Sequence, residues 1–380
     1  MSPHSDAPSP SGSYIQPHGM PIRTTVSQSQ IPRNVYSDSE AHYSSSFEST
    51  STTASSLEMA EHIVSRPLIP GVYVPTVCFF HQDSEDVDHE TIASHAVRLA
   101  RAGVAGIATQ GSNGEAVHLS HAERQQVTFT TRKALADAGY NDLPIIVGCG
   151  AQSTREAIQL CREAHRSGGD YALVLPPSYY APLFAPSSKS VLKFFNDVAD
   201  SSPIPLIIYN YPGAVSGLDL SSDIIIELSK HSNIVGVKLT CGNTGKLNRV
   251  VAATKSAKSA SQIVPSFLVL GGSADFTLQT MIGGGHGILA GLANISPKTC
   301  IKTIDLYKSG QIAEAQAMQE VVAKGDWAAI QGGIVGTKAG MQGCFGYGGY
   351  ARSPLPQPSK EEAQRWTNMF KELVSLERSL

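Results

Sequence analysis

The sequence predicts an α/β fold, a (β/α)8 TIM barrel with a helical appendix at its C-terminal end. Short apolar runs alternate with segments of helical spacing from about residue 69 onward. Such alternation places helices on both faces of a parallel sheet. Eight runs fit a closed barrel better than an open doubly wound sheet. They lie at residues 72–80, 104–108, 145–148, 172–175, 206–209, 234–238, 267–270 and 287–290.

The segments between these runs contain signals for helix starts. Ser153 is a candidate N-cap, because apolar residues follow it with the spacing i, i+3, i+4 and i+7. Those residues are Ala157, Leu160, Cys161 and Ala164. Ser120 and Glu123 have the spacing of a capping box and predict another helix start.

Composition divides the chain into three parts. Residues 1–66 are rich in Ser, Thr and Pro and lack apolar periodicity, so we expect a disordered tail. Residues 67–296 are predicted to form the barrel and to hold the active site. Residues 297–380 contain further helix-like segments and are predicted to form the C-terminal helical region.

The tail also bears on cellular location. A mitochondrial presequence is rich in arginine and poor in acidic residues. The tail has its first arginine at Arg23, and its acidic residues include Asp6, Asp38, Glu40 and Glu48. We therefore expect a cytoplasmic protein, with mitochondrial import as the less favoured alternative.

Charge and composition point to a soluble protein that acts on small molecules. The formal net charge is −3, which gives no electrostatic reason to expect nucleic acid or an anionic membrane as a partner. No stretch approaches the roughly 20 apolar residues of a membrane helix. Six widely spaced cysteines without a CxxC pair predict buried thiols in a reducing compartment.

Lys238 is the strongest candidate for a catalytic residue. It ends the apolar run 234–238, which has the character of a buried strand. An unpaired ammonium group is costly to bury, so this position favours a neutral amine. A neutral amine is a nucleophile whose natural partner is a ketone carbon. The alternative is a structural lysine whose head reaches water.

Tyr209 and the segment 111–115 complete a plausible site. Tyr209 ends the run 206–209, and its phenol can donate and accept a proton; otherwise it would be a core tyrosine with a satisfied hydroxyl. The segment 111–115, Gly-Ser-Asn-Gly-Glu, offers N–H groups and small polar side chains that suit a carboxylate. Ser112 and Asn113 could alternatively be turn formers, and we expect Glu115 to be structural. Together these features predict imine chemistry on a 2-oxo acid.

These segments resemble the dihydrodipicolinate synthase / N-acetylneuraminate lyase family of class I aldolases, and the resemblance extends from about residue 69 to the C-terminus. The segments are Gly-Ser-Asn-Gly-Glu at 111–115, Tyr-Asn-Tyr-Pro at 209–212 and Gly-Val-Lys at 236–238. The resemblance implies that Lys238 forms a Schiff base. It implies that Tyr209 and Ser112 move the proton and that Ser112 and Asn113 bind the substrate carboxylate. Tyr180 is implied to complete the proton relay across a dimer interface.

The resemblance also implies a binding site for the rest of the substrate. Thr240 matches a position where sugar-acid lyases keep a hydroxyl for the hydroxyls of the substrate. Gly272 and Ser273, which follow the run 267–270, are likewise assigned to substrate binding. A small-molecule 2-oxo acid is the expected partner, and a homodimer or homotetramer is the expected assembly.

Within the family the chain is similar to 4-hydroxy-2-oxoglutarate aldolase and to fungal L-threo-3-deoxy-hexulosonate aldolase. The similarity lies in the Ser-Asn pair at 112–113, Gly-Leu-Asp-Leu at 217–220 and Phe-Gly-Tyr-Gly-Gly at 345–349. The loop 213–217 lacks the arginine with which the synthases hold the carboxylate of the second substrate. The implied reaction is cleavage of a 2-keto-3-deoxy sugar acid, first of all L-threo-3-deoxy-hexulosonate, to pyruvate and an aldehyde such as L-glyceraldehyde.

Three alternatives remain open at this point. The first is cleavage of 4-hydroxy-2-oxoglutarate to pyruvate and glyoxylate, with Arg352 or Lys338 holding the second carboxylate. Dihydrodipicolinate synthesis and a non-catalytic oxo-acid sensor are less favoured. We expect no metal and no organic cofactor, because an imine supplies the electron sink and His118, His121 and His286 lack the spacing of a metal site.

Overall fold

The predicted barrel is confirmed by the computed structural model, which describes residues 66–184, 187–255 and 265–380. Eight parallel strands close into a barrel in chain order, and β8 pairs with β1. The strands are β1 (Gly71–Pro75), β2 (Gly106–Thr109), β3 (Ile145–Gly148), β4 (Tyr171–Val174), β5 (Leu206–Asn210), β6 (Ile234–Leu239), β7 (Leu268–Gly271) and β8 (Gly287–Leu289). The predicted disordered tail lies outside the described residues, apart from its last residue, Arg66.

Each strand is followed by at least one helix, and the helices after β1 to β7 return the chain to the start of the next strand. These helices are α1 (His89–Arg101), α2 (His121–Asp137), α3 (Thr154–Arg166), α4 (Ala181–Phe184), α5 (Lys189–Ser201), α6 (Ser222–Leu228), α7 (Thr244–Thr254), α8 (Thr277–Ile282) and α9 (Pro297–Lys308). The two predicted caps are present. Ser153 accepts a bond from the Glu156 amide, and Ser120 and Glu123 form a reciprocal capping box.

The core has two layers because side chains of a strand alternate between its faces. Tyr73, Leu173 and Ile207 belong to a cluster inside the barrel. Val72 and Val74 belong to the larger cluster that includes residues of the surrounding helices. Buried apolar residues on both faces explain why the strands appear in the sequence as continuous apolar runs.

The first strand is shorter than its apolar run. The sequence predicted a strand over 72–80, but β1 ends at Pro75. The segment beyond it is still buried, and the Val77 amide donates to the side chain of Asn294 at 3.2 Å instead of to a strand. Burial in a loop and burial in a strand give the same apolar pattern, so periodicity could not locate this end.

The predicted C-terminal helices are present as α10 (Ile312–Phe345), α11 (Lys360–Met369) and α12 (Lys371–Ser379). Glycines allow α10 and α11 to approach closely, since a Cβ at Gly332 or Gly336 would contact the ring of Trp366 at 3.0–3.2 Å. At Gly333 the backbone of α10 is non-helical, with a φ of 53° that favours glycine. The predicted domain boundary between residues 296 and 297 stays a prediction.

Glu377 connects the last helix to the barrel. Its buried carboxylate accepts bonds from the amides of Lys298 and Thr299 at the start of α9 and from the hydroxyl of Ser296. A carboxylate at a helix N-terminus satisfies free N–H groups there. Within the described ranges, no helix has both the length and the apolar character needed to cross a bilayer.

Candidate active site

A cavity of about 320 Å³ lies at the carboxyl ends of the strands and is bordered by α10. This is the end of a TIM barrel at which active sites are found. Seven of the eight predicted site residues line it, namely Ser112, Asn113, Tyr209, Lys238, Thr240, Gly272 and Ser273. Helix α10 contributes further lining residues, which are Asp326, Ala329, Ile330, Gly333, Ile334 and Thr337.

Lys238 and Tyr209 lie side by side on neighbouring strands. They are register partners between β5 and β6, and both are buried. The Nζ atom of Lys238 is 4.0 Å from the centroid of the Tyr209 ring. Tyr211 stacks on Tyr209 with a centroid separation of 5.8 Å. The amine and the phenol face the same small volume.

Lys238 differs from the other buried lysines in having no counter-charge. Among the described residues, Lys246 pairs with Asp219 and Lys338 pairs with Glu115, but no carboxylate pairs with Lys238. A buried ammonium without a partner is costly, so such a lysine is retained for its chemistry and not for stability. This contrast could not be read from the sequence.

Glu115 anchors the loop that brings Ser112 and Asn113 to the cavity. Its carboxylate accepts bonds from Lys338 Nζ at 3.0 Å and from the Arg352 amide at 2.9 Å. Its backbone is left-handed, with a φ of 51°. Both Glu115 and Lys338 are fully buried, so this ion pair fixes the loop to the C-terminal helices.

Thr240 and Gly272 form one wall of the cavity. A Cβ at Gly272 would lie 2.5 Å from the Cα of Thr240 and 2.6 Å from its amide nitrogen, so only glycine fits there. Within the described chain, the buried Thr240 hydroxyl has no hydrogen-bond partner. Buried polar groups are nearly always bonded, so an unpaired hydroxyl that lines a cavity is a candidate ligand contact.

Asp326 is a lining residue that the sequence analysis missed. One of its carboxylate oxygens, Oδ2, accepts bonds from the Ser273 hydroxyl and from the amides of Ala274 and Asp275, the last two at 2.8 and 2.9 Å. Burial, together with the nearby Asp275 carboxylate, raises the pKa of Asp326 to about 6. A hint in the sequence was an acid among small and apolar residues at 325–330.

Tyr180 is the one predicted site residue that lies elsewhere. Its side chain is 61% exposed and packs edge-to-face against Tyr179, with a centroid separation of 5.0 Å. It does not line the cavity in this chain. Its predicted role in the proton relay therefore stays a prediction.

The two cations considered for a second substrate carboxylate are also engaged elsewhere. Lys338 is paired with Glu115, and the guanidinium of Arg352 bonds to Glu123 at 2.6 Å and to the His118 carbonyl at 2.8 Å. Neither lines the cavity.

A second cavity of about 310 Å³ adjoins the first and shares Ser112 and Tyr209 with it. Arg124 lines this second cavity. Its guanidinium donates to the carbonyls of Ala116 and Gly148 at 3.0 and 2.6 Å, and in the described part of the chain it pairs with no carboxylate. Its buried Nε has no partner there either. This cavity therefore contains a cation that is available to an anion.

The histidines have separate structural roles. His118 bonds to Glu115, His121 bonds to two glutamates, and His286 accepts a bond from the Val269 amide. Among residues 66–184, 187–255 and 265–380, no group of three or more potential ligands has the arrangement of a metal site.

Comparisons with known proteins identify a family and relatives that are named aldolases. A model of the dihydrodipicolinate synthetase family matches residues 69–373. A relative from Emericella nidulans, named "probable 4-hydroxy-2-oxoglutarate aldolase, mitochondrial", is 55% identical over 318 residues, which cover 84% of this chain and 99% of the relative. An L-threo-3-deoxy-hexylosonate aldolase from Aspergillus niger is 46% identical over 328 residues, covering 83% of this chain and 98% of the relative.

Among solved structures, a protein from Coccidioides immitis assigned to the dihydrodipicolinate synthase family superposes with a TM-score of 0.72. It is 33% identical, and the match covers 84% of this chain and all of the other. The expectation of a cytoplasmic location is wrong, because the Emericella nidulans relative is named mitochondrial. The prediction weighed the late first arginine and the acidic residues of the tail, but it did not weigh the high serine content, which is also typical of an import signal.

Proposed function

This chain belongs to the dihydrodipicolinate synthetase family, and on that premise we propose that it is a lysine-dependent aldolase that releases pyruvate from a 2-keto-3-deoxy sugar acid. The main candidate substrate is L-threo-3-deoxy-hexulosonate, with L-glyceraldehyde as the second product. The observation that supports the proposal most strongly is the position of Lys238 Nζ, which lies 4.0 Å from the centroid of the Tyr209 ring in the strand-end cavity and pairs with no carboxylate of the described residues.

The proposed reaction starts with imine formation. The carboxylate of the 2-oxo acid binds at Ser112 and Asn113, which places the ketone carbon beside Lys238. The amine adds to C2 to give a carbinolamine, and loss of water then leaves a protonated imine. This cation withdraws electrons from C3, so it performs the role that a metal ion has in other aldolases.

Carbon–carbon cleavage follows from proton removal. Tyr209, relayed through Ser112, takes the proton of the C4 hydroxyl, and the C3–C4 bond breaks. The C4 oxygen becomes the carbonyl of the released aldehyde, and the bonding electrons form the enamine of pyruvate on Lys238. Protonation at C3 and hydrolysis of the imine then release pyruvate and return the free amine.

The hydroxyl-bearing lining favours the sugar acid. Thr240 lines the cavity and its buried hydroxyl has no partner among the described residues, and Ser273 and Thr337 lie in the same lining. The absence of an arginine from the loop 213–217 disfavours dihydrodipicolinate synthesis. The close approach of the Lys238 amine to the Tyr209 ring disfavours a non-catalytic sensor.

A second candidate reaction is cleavage of 4-hydroxy-2-oxoglutarate to pyruvate and glyoxylate. Two observations favour it: the name of the relative with 55% identity, and the presence of Arg124 in the adjoining cavity. A distal carboxylate that reached Arg124 would find a cation that pairs with no carboxylate of the described residues.

We further infer that the enzyme is mitochondrial, from the name of the Emericella nidulans relative, and that it works as a homo-oligomer. The exposed pair Tyr179 and Tyr180 suits a subunit interface, where Tyr180 would enter the relay of a neighbouring site. Residues 67–296 would form the catalytic barrel domain, and residues 297–380 its C-terminal helical domain.

A pyruvate-release assay tests this function. We expect pyruvate from L-threo-3-deoxy-hexulosonate with the wild type and at least a 1,000-fold lower rate, on the order of a lost catalytic nucleophile, with Lys238→Ala. Lys193→Ala, which removes an exposed lysine of α5, should retain the wild-type rate. Release of pyruvate by Lys238→Ala at the wild-type rate would exclude the proposed mechanism.

A further inference from the structure

We propose that Asp326 determines the substrate class of this site, by accepting hydrogen bonds from substrate hydroxyls and by repelling a substrate whose distal end is a carboxylate. The inference rests on the proposed function, since it concerns the part of the substrate that leaves as the aldehyde. According to the proposal, the leaving part of the substrate is a neutral chain with several hydroxyls. The residue that selects it over a chain ending in a carboxylate lies on α10, outside the eight strands.

The first observation is that only one of the two carboxylate oxygens is occupied. Three donors from the loop 273–275 bond to Oδ2 of Asp326, whereas its Oδ1 accepts no bond from any described residue. The residue is 3% exposed and lines the cavity. The three bonds hold the carboxylate in place, so Oδ1 is a fixed acceptor for a ligand.

The second observation is the charge balance of the cavity. Among its described lining residues, Lys238 is the only cation and Asp326 is the only carboxylate. The proposed reaction uses Lys238 for the imine. A distal carboxylate in this cavity would meet the negative charge of Asp326 with no cation left to offset it. Substrate hydroxyls, in contrast, are donors that suit a carboxylate.

The ionisation of Asp326 agrees with this role. Burial raises its pKa to about 6, so the group is still mainly ionised at neutral pH. The neighbouring Asp275 carboxylate is also partly buried, and its pKa is raised for the same reason. Asp275 is absent from the lining of the cavity, so it offers a matched control for charge alone.

Arg124 defines the competing arrangement. It lines the adjoining cavity, which shares Ser112 and Tyr209 with the first, and would attract a distal carboxylate into that space. The first cavity therefore favours the sugar acid, and the adjoining cavity favours the dicarboxylate. The ratio of kcat/KM for the two substrates reports which cavity receives the leaving aldehyde.

The test compares kcat/KM for L-threo-3-deoxy-hexulosonate and 4-hydroxy-2-oxoglutarate in the wild type, Asp326→Asn and Asp275→Asn. Asparagine keeps an oxygen for the three loop donors, but it removes the charge and turns the other position into a donor. We expect Asp326→Asn to lower kcat/KM for the sugar acid by about 10- to 100-fold, the usual range for a hydrogen bond to a charged group. The dicarboxylate should gain, and Asp275→Asn should leave the ratio unchanged.

A second measurement uses only the wild type and does not depend on the folding of a variant. In the condensation direction with pyruvate, L-glyceraldehyde should react at least about 10-fold faster than propanal, which lacks the hydroxyls that Asp326 would bind. Glyoxylate should also react more slowly than L-glyceraldehyde.

Imine trapping with pyruvate and borohydride distinguishes a failure of the role of Asp326 from a failure of the proposed function. Trapping in both the wild type and Asp326→Asn, together with a substrate ratio that Asp326→Asn leaves unchanged, would overturn the role of Asp326 alone. A wild-type preference for glyoxylate over L-glyceraldehyde would overturn it as well. Failure of the wild type to form any pyruvate imine would instead refute the proposed function.

Discussion

Replacing Gly272 by alanine should damage both the fold and the activity. The new Cβ would lie 2.5 Å from the Cα of Thr240 and 2.6 Å from its amide nitrogen, whereas real Cβ contacts stay beyond about 3.0 Å. Because these are backbone atoms, no side-chain rotation can relieve the contact. The strand ends that carry Thr240 and Gly272 must separate by about half an ångström, against the Gly272 amide bond to Leu239, which measures 2.9 Å.

The expected magnitude follows from this displacement. Overpacking of a buried site costs about 1–3 kcal/mol in free energy of unfolding. Displacement of substrate-positioning groups by up to an ångström lowers kcat/KM by as much as about 100-fold. We therefore expect a loss of stability in that range together with a drop in kcat/KM of one to two orders of magnitude, on the order given for misplaced groups.

Urea unfolding and steady-state kinetics on the same preparation measure the two effects. Gly245→Ala is the matched control, because its Cβ would meet its nearest neighbours at 3.5 Å, an ordinary contact, and because alanine is favoured in a helix such as α7. Wild-type stability and wild-type kcat/KM in Gly272→Ala would refute the reasoning.

Three further predictions concern neighbouring positions. Gly291→Ala places a Cβ against the side-chain amide of Asn113, which can move away. The KM for the 2-oxo acid should therefore rise, while the urea midpoint changes little. An unchanged KM would contradict this prediction. Glu115→Gln leaves Lys338 buried without a counter-charge and should lower the free energy of unfolding by about 3–5 kcal/mol. Urea unfolding measures this loss, and a variant as stable as the wild type would contradict the prediction. Folding raises the pKa of Asp326 from 3.8 to about 6, so the protonated side chain contributes to the free energy of unfolding. This contribution is about 3 kcal/mol below pH 3.8 and is lost as the pH rises to about 6. Asp326→Asn should remove this part of the pH dependence of unfolding, and retention of the full slope would contradict the assignment.

The sequence was sufficient for the barrel and for the pairing of Lys238 with Tyr209. Consecutive strands of a barrel are neighbours, and their carboxyl ends form one rim, so two polar residues that end consecutive apolar runs must lie close together. The register adds that the two are direct partners. The same reasoning places Thr240 and Gly272 at the rim, because both directly follow strands.

Asp326 could not be found in this way. It lies 53 residues beyond Ser273, on a long helix whose position over the barrel depends on packing against α9 and α11. Helical periodicity indicates a buried face, but it does not indicate which element covers that face. Tyr180 presents a different limit, since one exposed tyrosine of a single chain gives no information about the subunit that it would contact.

Imine formation between Lys238 and the substrate ketone can be located on the chain by trapping and peptide analysis. The wild-type protein is incubated with pyruvate, reduced with borohydride, digested and analysed by mass spectrometry of its peptides. We expect one reduced pyruvyl group per chain, located on Lys238, and none in Lys238→Ala. An adduct on another lysine, or an unmodified Lys238 in a protein that turns over substrate, would contradict it.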